Sequence, residues 1–142
     1  MIEKIRDYIA ECPHLDEFTK VNVNYLVDKV NAYSVNEDSG YNPVLEPRIY
    51  GNDEMQFLFS FDAKFYWNEE TENNIDNSKF FEKFRDWLED NNSKGKYPEI
   101  EGIEPLTIGA ITNGFIYATN SDEAIYRISC SFTYEKEGKI KC

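Results

Sequence analysis

Residues 56–67 read QFLFSFDAKFYW, and whether this stretch winds or extends decides the fold. Wound as a helix, it would put Phe57, Phe61 and Phe65 on one side but scatter Phe59 and Trp67 and drive Lys64 into the apolar stripe. Extended, it puts Phe57, Phe59, Phe61, Ala63, Phe65 and Trp67 on one face, and Gln56, Ser60, Asp62 and Lys64 on the other. A period of two is the signature of a strand with one apolar face. About 11 residues at roughly 3.3 Å each exceed the common strand length, so this strand should reach beyond a small domain's core.

Such a face needs a cover, and the next periodic segment supplies one. In DNSKFFEKFRDWLEDNNSKG (76–95), Phe80, Phe81, Phe84, Trp87 and Leu88 recur at helical spacing. Asp76, Asn77 or Ser78 can cap its start, and Gly95 stands where a left-handed C-terminal residue is wanted. The acidic stretch NEETENN (68–74) reads as the linker between strand and helix. The rings of 57–67 are therefore expected to lie against the Phe80–Leu88 stripe as core.

Upstream, Ile2, Ile5, Ile9 and Cys12 mark an amphipathic helix that Pro13 ends. VNVNYLV (21–27) alternates as a strand with one wet face, and VNAYSV (30–35) is a weaker extended stretch. Residues 36–54, with Ser39-Gly40, Asn42-Pro43 and Gly51-Asn52-Asp53, carry turn and loop chemistry. Downstream, Tyr126, Ile128, Cys130, Phe132 and Tyr134 alternate with polar residues as a second long strand. TNSDE (119–123) joins it to FIYA (115–118) as a hairpin. Asn113-Gly114 marks a tight turn or a bulge that bends the strand before it. The expected fold class is α+β: a mainly antiparallel sheet with two helices on one face, in a single domain over 1–142, globular over 1–135 with a flexible tail at 136–142.

Composition excludes several function classes. A net charge of −12, with scattered Lys and Arg, argues against nucleic acid as a partner. No apolar run of about 18 residues is present, so no membrane span is expected, and MIEKIRDYIAEC is not built like a signal peptide. Cys12, Cys130 and Cys142 form no even framework and lack metal-ligand spacing, which suits reduced thiols. His14 is the only histidine and has no ligand pair or nucleophile elbow beside it. Glu69, Glu70, Glu72, Glu89, Asp90, Glu99, Glu101 and Glu104 fall in turns or on wet helix faces, where no carboxyl is desolvated for acid–base work. The expectation is no enzyme, with no catalytic residue, metal or cofactor.

The closing block ITNGFIYATNSDEAIYRISCSFTYEKE resembles that of a family of small structural proteins encoded by prophages of Gram-positive bacteria. That family is similar to tail-terminator or minor capsid proteins and often carries the label "chloramphenicol resistance protein". Gly114, Phe115, Asp122, Tyr126, Arg127, Ile128, Cys130 and Tyr134 carry the resemblance, with Phe81, Phe84 and Trp87 as a looser match. It implies a tail-terminator-like α+β fold whose copies join side by side into a ring, typically a hexamer, that caps the tail tube and docks to the head connector. The implied partners are the chain itself and phage tail-tube and head-completion proteins, with no small-molecule substrate. The implied locations are the virion and, during assembly, the host bacterial cytoplasm. Leu58, Tyr66, Tyr117 and Ile125 lie off the core parity and are candidate contact residues, as are Glu69, Glu70 and Glu72 of the acidic loop.

Two other readings fit the residues. An acidic, cytosolic inhibitor of the immunity type would cover a basic protein with complementary charge. A small ligand under the sheet would need a pocket lined by Phe59, Phe61, Phe84 and Trp87.

Overall fold

The computed structural model describes residues 1–15, 20–24, 26, 32–46, 53–66, 71–119 and 123–136. In chain order the elements are α1 (Ile2–Ile9), β1 (Val21–Val23), β2 (Tyr33–Glu37), β3 (Val44–Glu46), β4 (Glu54–Tyr66), α2 (Thr71–Ser93), β5 (Ile103–Ala110), β6 (Phe115–Thr119) and β7 (Glu123–Lys136). The fold is α+β. Its spine is the antiparallel pair β4–β7, which runs in unbroken register from Glu54↔Glu135 to Tyr66↔Glu123. β2 and β3 lie along the other side of β4, both antiparallel, and β1 adds to β2 in parallel. The sheet is thus mostly antiparallel, with that one parallel pair.

Period-two alternation works here as anticipated. Phe57, Phe59, Phe61 and Ala63 of β4 are buried beside Phe132, Cys130, Ile128 and Tyr126 of β7, their register partners. Phe81, Phe84 and Leu88 of α2 and Ile5, Tyr8 and Ile9 of α1 complete the same core, so both helices cover one face. Phe61 stacks on Phe84 with centroids 4.6 Å apart, and Tyr8 lies against Trp87 at 5.3 Å. Each fully buried ring contributes about 1.5–3 kcal/mol by leaving water. The space that a small ligand would need between Phe59, Phe61, Phe84 and Trp87 is filled by those rings, and the first three are wholly buried.

Several boundaries differ from the sequence expectation. α2 begins at Thr71 and not at 76, so residues 71–74 of the supposed linker are helical. Carboxylates are in general favoured near a helix N-terminus, so an acidic composition does not argue against helix in this stretch. Its C-terminal end is as expected: Gly95 takes φ 71°, and the Lys96 N–H donates to the Asn91 carbonyl at 2.8 Å. Within 36–54, Val44–Glu46 forms a strand, because Pro43 and Val44 lie within reach of the overhanging end of β4. β1 stops at Val23, where Asn24 turns to φ 54°, short of the expected reach to Val27, which lies outside the described residues. β7 extends through Lys136, one residue into the expected tail, and 137–142 lie outside the described residues.

The second face of the sheet is the larger surprise. Ser34, Ser60, Asp62 and Lys64 point away from the helices, as parity requires, yet all four are buried, with Asp62 only 4% exposed. Polar residues at the centre of a broad sheet are walled in by their cross-strand neighbours, and buried polar groups must then bond to each other.

Candidate interaction surface

Four strands bring one polar cluster together on that second face. Asp62 and Arg127 are register partners on β4 and β7, and their side chains meet in a fork: Arg127 donates from Nε to Oδ1 at 2.8 Å and from a terminal nitrogen to Oδ2 at 2.9 Å. Asn36 of β2 donates to Oδ2 at 2.8 Å, and Ser34 donates to Asn36 Oδ1 at 2.7 Å. Beyond Arg127, the ring of Tyr117 on β6 lies 3.7 Å from the guanidinium carbon. A planar cation held in two bonds on one side and stacked on a ring on the other is the arrangement arginine serves better than lysine. The Asp62 bonds, with Asp62 and Tyr117 charge adding to them, raise the Arg127 pKa above its already high ordinary value against the opposing cost of burial. The cluster braces Tyr117 from the second face through Arg127, Asp62 and Asn36.

Tyr117 belongs to the outer arm of the sheet, whose course is set by a mismatch in length. Residues 103–119 run antiparallel along 124–136, so 17 residues lie against 13. The surplus is taken up between Pro105 and Thr107, across 111–114, and between Ile116 and Ala118. Asn113-Gly114 is therefore the bulge of the two expected possibilities, since β5 and β6 follow the same edge of β7. The detour is pinned from both sides. Ile111 and Thr112 donate to the Ser129 carbonyl, Thr112 accepts from the Ser129 N–H, and Arg85 of α2 bonds to Asn113. Gly114 passes so close to α2 that a Cβ there would stand 2.5 Å from Cβ and Cγ of Phe81.

The detour leaves Ile111, Phe115, Ile116 and Tyr117 solvent-facing, at 57%, 41%, 47% and 55% exposure. Single exposed apolar residues are ordinary, but four within seven positions of one edge make a candidate contact surface. No protein-family model and no curated protein matches the chain. The sheet's two ends differ in charge. At one end Glu46, Glu54, Glu135 and Glu104 are register neighbours across four strands; at the other Lys64, Glu123 and Arg127 lie on β4 and β7, beside an arm that carries no charge of its own within the 17-residue run Pro105–Ser121. No other charge-free run in the chain exceeds seven residues, so this signal was present in the sequence and parity alone did not draw attention to it.

Of the residues singled out from the sequence, the structure places Tyr117 in this exposed arm. Ile125 is half-buried on the second face, paired with Lys64 and Ala118, and Leu58 is half-buried with its carbonyl accepting from the Asp38 N–H at 3.0 Å. The backbone of Tyr66 closes the β4–β7 ladder opposite Glu123. Glu72 lies in the first turn of α2, while Glu69 and Glu70 fall outside the described residues. Parity thus anticipated the exposure of Tyr117 but not that of Ile111, Phe115 and Ile116, which lie beside the bulges of this arm.

Elsewhere the carboxylates Glu89, Asp90, Glu99, Glu101 and Glu104 are exposed, as their positions suggested, and His14 is exposed beyond α1. A cleft of about 1160 Å³ opens between α1 and the loop 95–101, with four carboxylates, Asp7, Glu11, Glu99 and Glu101, against two lysines, Lys4 and Lys96, around Tyr8 and Tyr97. Tyr8 donates to the Lys96 carbonyl at 2.9 Å and accepts from Asn91 at 3.0 Å, and burial pushes its pKa to about 12 despite that accepted bond.

Proposed function

We propose that the chain is a non-enzymatic structural subunit that works by assembling with copies of itself, as a tail-terminator-like ring that caps a phage tail tube and docks to the head connector. The observation that carries the self-assembly is the exposed apolar arm at Ile111, Phe115, Ile116 and Tyr117 on a stretch without charge. The resemblance of 111–137 to prophage tail proteins supplies the ring and the docking partners. A ring of six would multiply a net charge of −12 sixfold, so screening should favour it. Light scattering from low to physiological salt tests this: mass should rise with salt and concentration. A monomer at every salt and concentration removes the self-assembly, and flanking genes that encode no tail-tube or connector proteins remove the tail assignment.

The cleft beside α1 favours a second reading, an acidic inhibitor that receives a cationic segment of a partner protein between Glu11 and Glu99. A cationic peptide whose binding is lost in Glu11→Lys/Glu99→Lys, with the arm intact, would move the function there.

A further inference from the structure

The two halves of the outer arm treat their free backbone differently. Along β5 the chain closes its own edge: Asn92 of α2 accepts from the Ile108 N–H at 3.1 Å, and the Tyr97 hydroxyl donates to the Leu106 carbonyl at 2.9 Å. Along β6, whose five residues are all exposed, no described strand pairs with the side turned away from β7. Soluble proteins normally blunt such an edge with a charge, a proline or a covering element. Here β6 carries neither charge nor proline, and only the bulge at Tyr117 interrupts it.

We infer that β6 is where a second copy of this chain adds a strand to the sheet, so that copies join through backbone hydrogen bonds flanked by Phe115, Ile116 and Tyr117. Electrostatics selects the occupant. A basic partner would be drawn to the acidic end of the sheet at Glu54, Glu104 and Glu135, roughly 30 Å away along β7 at about 3.3 Å per residue. Two copies of an acidic chain repel wherever their carboxylates meet, and they approach most cheaply across surface that carries none. Pro105–Ser121 is the longest charge-free stretch in the sequence, and β6 is its exposed part, with no other described strand on the side turned away from β7. The Asp62–Arg127 fork adds rigidity, since it holds Tyr117 from the second face and leaves the β6 edge clear. A short exposed edge with anchoring aromatics is the geometry of β-strand addition, in which main-chain bonds give affinity and alternate side chains give specificity.

This inference rests on the self-assembly proposed above, and one experiment separates their failures. Sedimentation at physiological salt compares the wild-type chain with Ile116→Lys, which places a charge on the edge, and Leu45→Lys, which places one on an exposed apolar residue of β3. Near-UV circular dichroism confirms that the variants fold. Hydrogen exchange of the β6 amides in the wild-type chain gives a readout that needs no variant. The expected result is a wild-type assembly with slowed β6 amides, association weakened (dissociation constant raised) by at least about 30-fold in Ile116→Lys, and no change in Leu45→Lys. An assembly that forms equally well in Ile116→Lys, or that leaves the β6 amides fast, overturns the strand addition and spares the self-assembly. A wild-type monomer throughout overturns both.

Discussion

Asp62 and Arg127 show how one pair of residues ties the polar face to the apolar arm. Asp62 is almost wholly buried, so removing its cation leaves a carboxylate that water cannot reach. Arg127→Met should destabilise the chain by about 3 kcal/mol, and chemical denaturation measures it. Asp62→Asn/Arg127→Met together should recover part of that loss, because no charge is then stranded. The buried thiols give a second residue-scale prediction. Burial pushes Cys12 to about 11 and Cys130 further still, so neither supplies a thiolate at neutral pH. Maleimide labelling read by mass spectrometry should leave both unmodified until the chain unfolds. Tyr8 and Cys12 also set an alkaline limit. Their folded pKa values lie above the ordinary ones, so the proton is held more tightly in the folded chain. The stability this represents is complete below about pH 9 and is lost as pH rises through 11 to 12. Thermal melts from pH 8 to 12 should show stability constant at first and then falling over that window.

At the scale of elements, the outer arm depends on one close passage. α2 can pack its Phe81 against residues 113–114 only because Gly114 has no side chain. The clashing atoms are Cβ and Cγ of a core ring, which cannot swing aside. Gly114→Ala should therefore cost about 1–3 kcal/mol by overpacking, and it should also shift the arm and weaken assembly. Gly109, where an added Cβ meets nothing within 4 Å, is the control, and Gly109→Ala should melt close to the wild-type chain. α2 serves the arm a second time through Asn92, which closes the β5 edge. Asn92→Leu should expose that edge and promote association through β5, visible as larger species at concentrations where the wild-type chain is uniform.

For the whole molecule, the distribution of charge counts for more than its total. On the proposed assembly, an excess of carboxylates disfavours contact over most of the surface, and the uncharged arm is the place proposed for two copies to meet. The prediction at this scale is the rise of assembly mass with salt. An assembly that weakens with added salt would mean that attraction between opposite charges, and not contact along the arm, joins the copies.

The alternation of Phe57 to Phe65, the stripe of Phe81, Phe84 and Leu88, and Gly95 as a helix stop determined the strand, the helix and the face between them, because each depends on spacing within one segment. The class α+β and the burial of the rings follow from those local periods. Which polar residues become buried was decided only by the assembled sheet: Ser60 and Asp62 look wet in a single strand and are walled in once β2 and β7 flank β4. The exposure of Phe115, Ile116 and Tyr117 was likewise a tertiary outcome, since it arises from four residues of mismatch between two paired strands. No property of either strand taken alone encodes a difference in length between them.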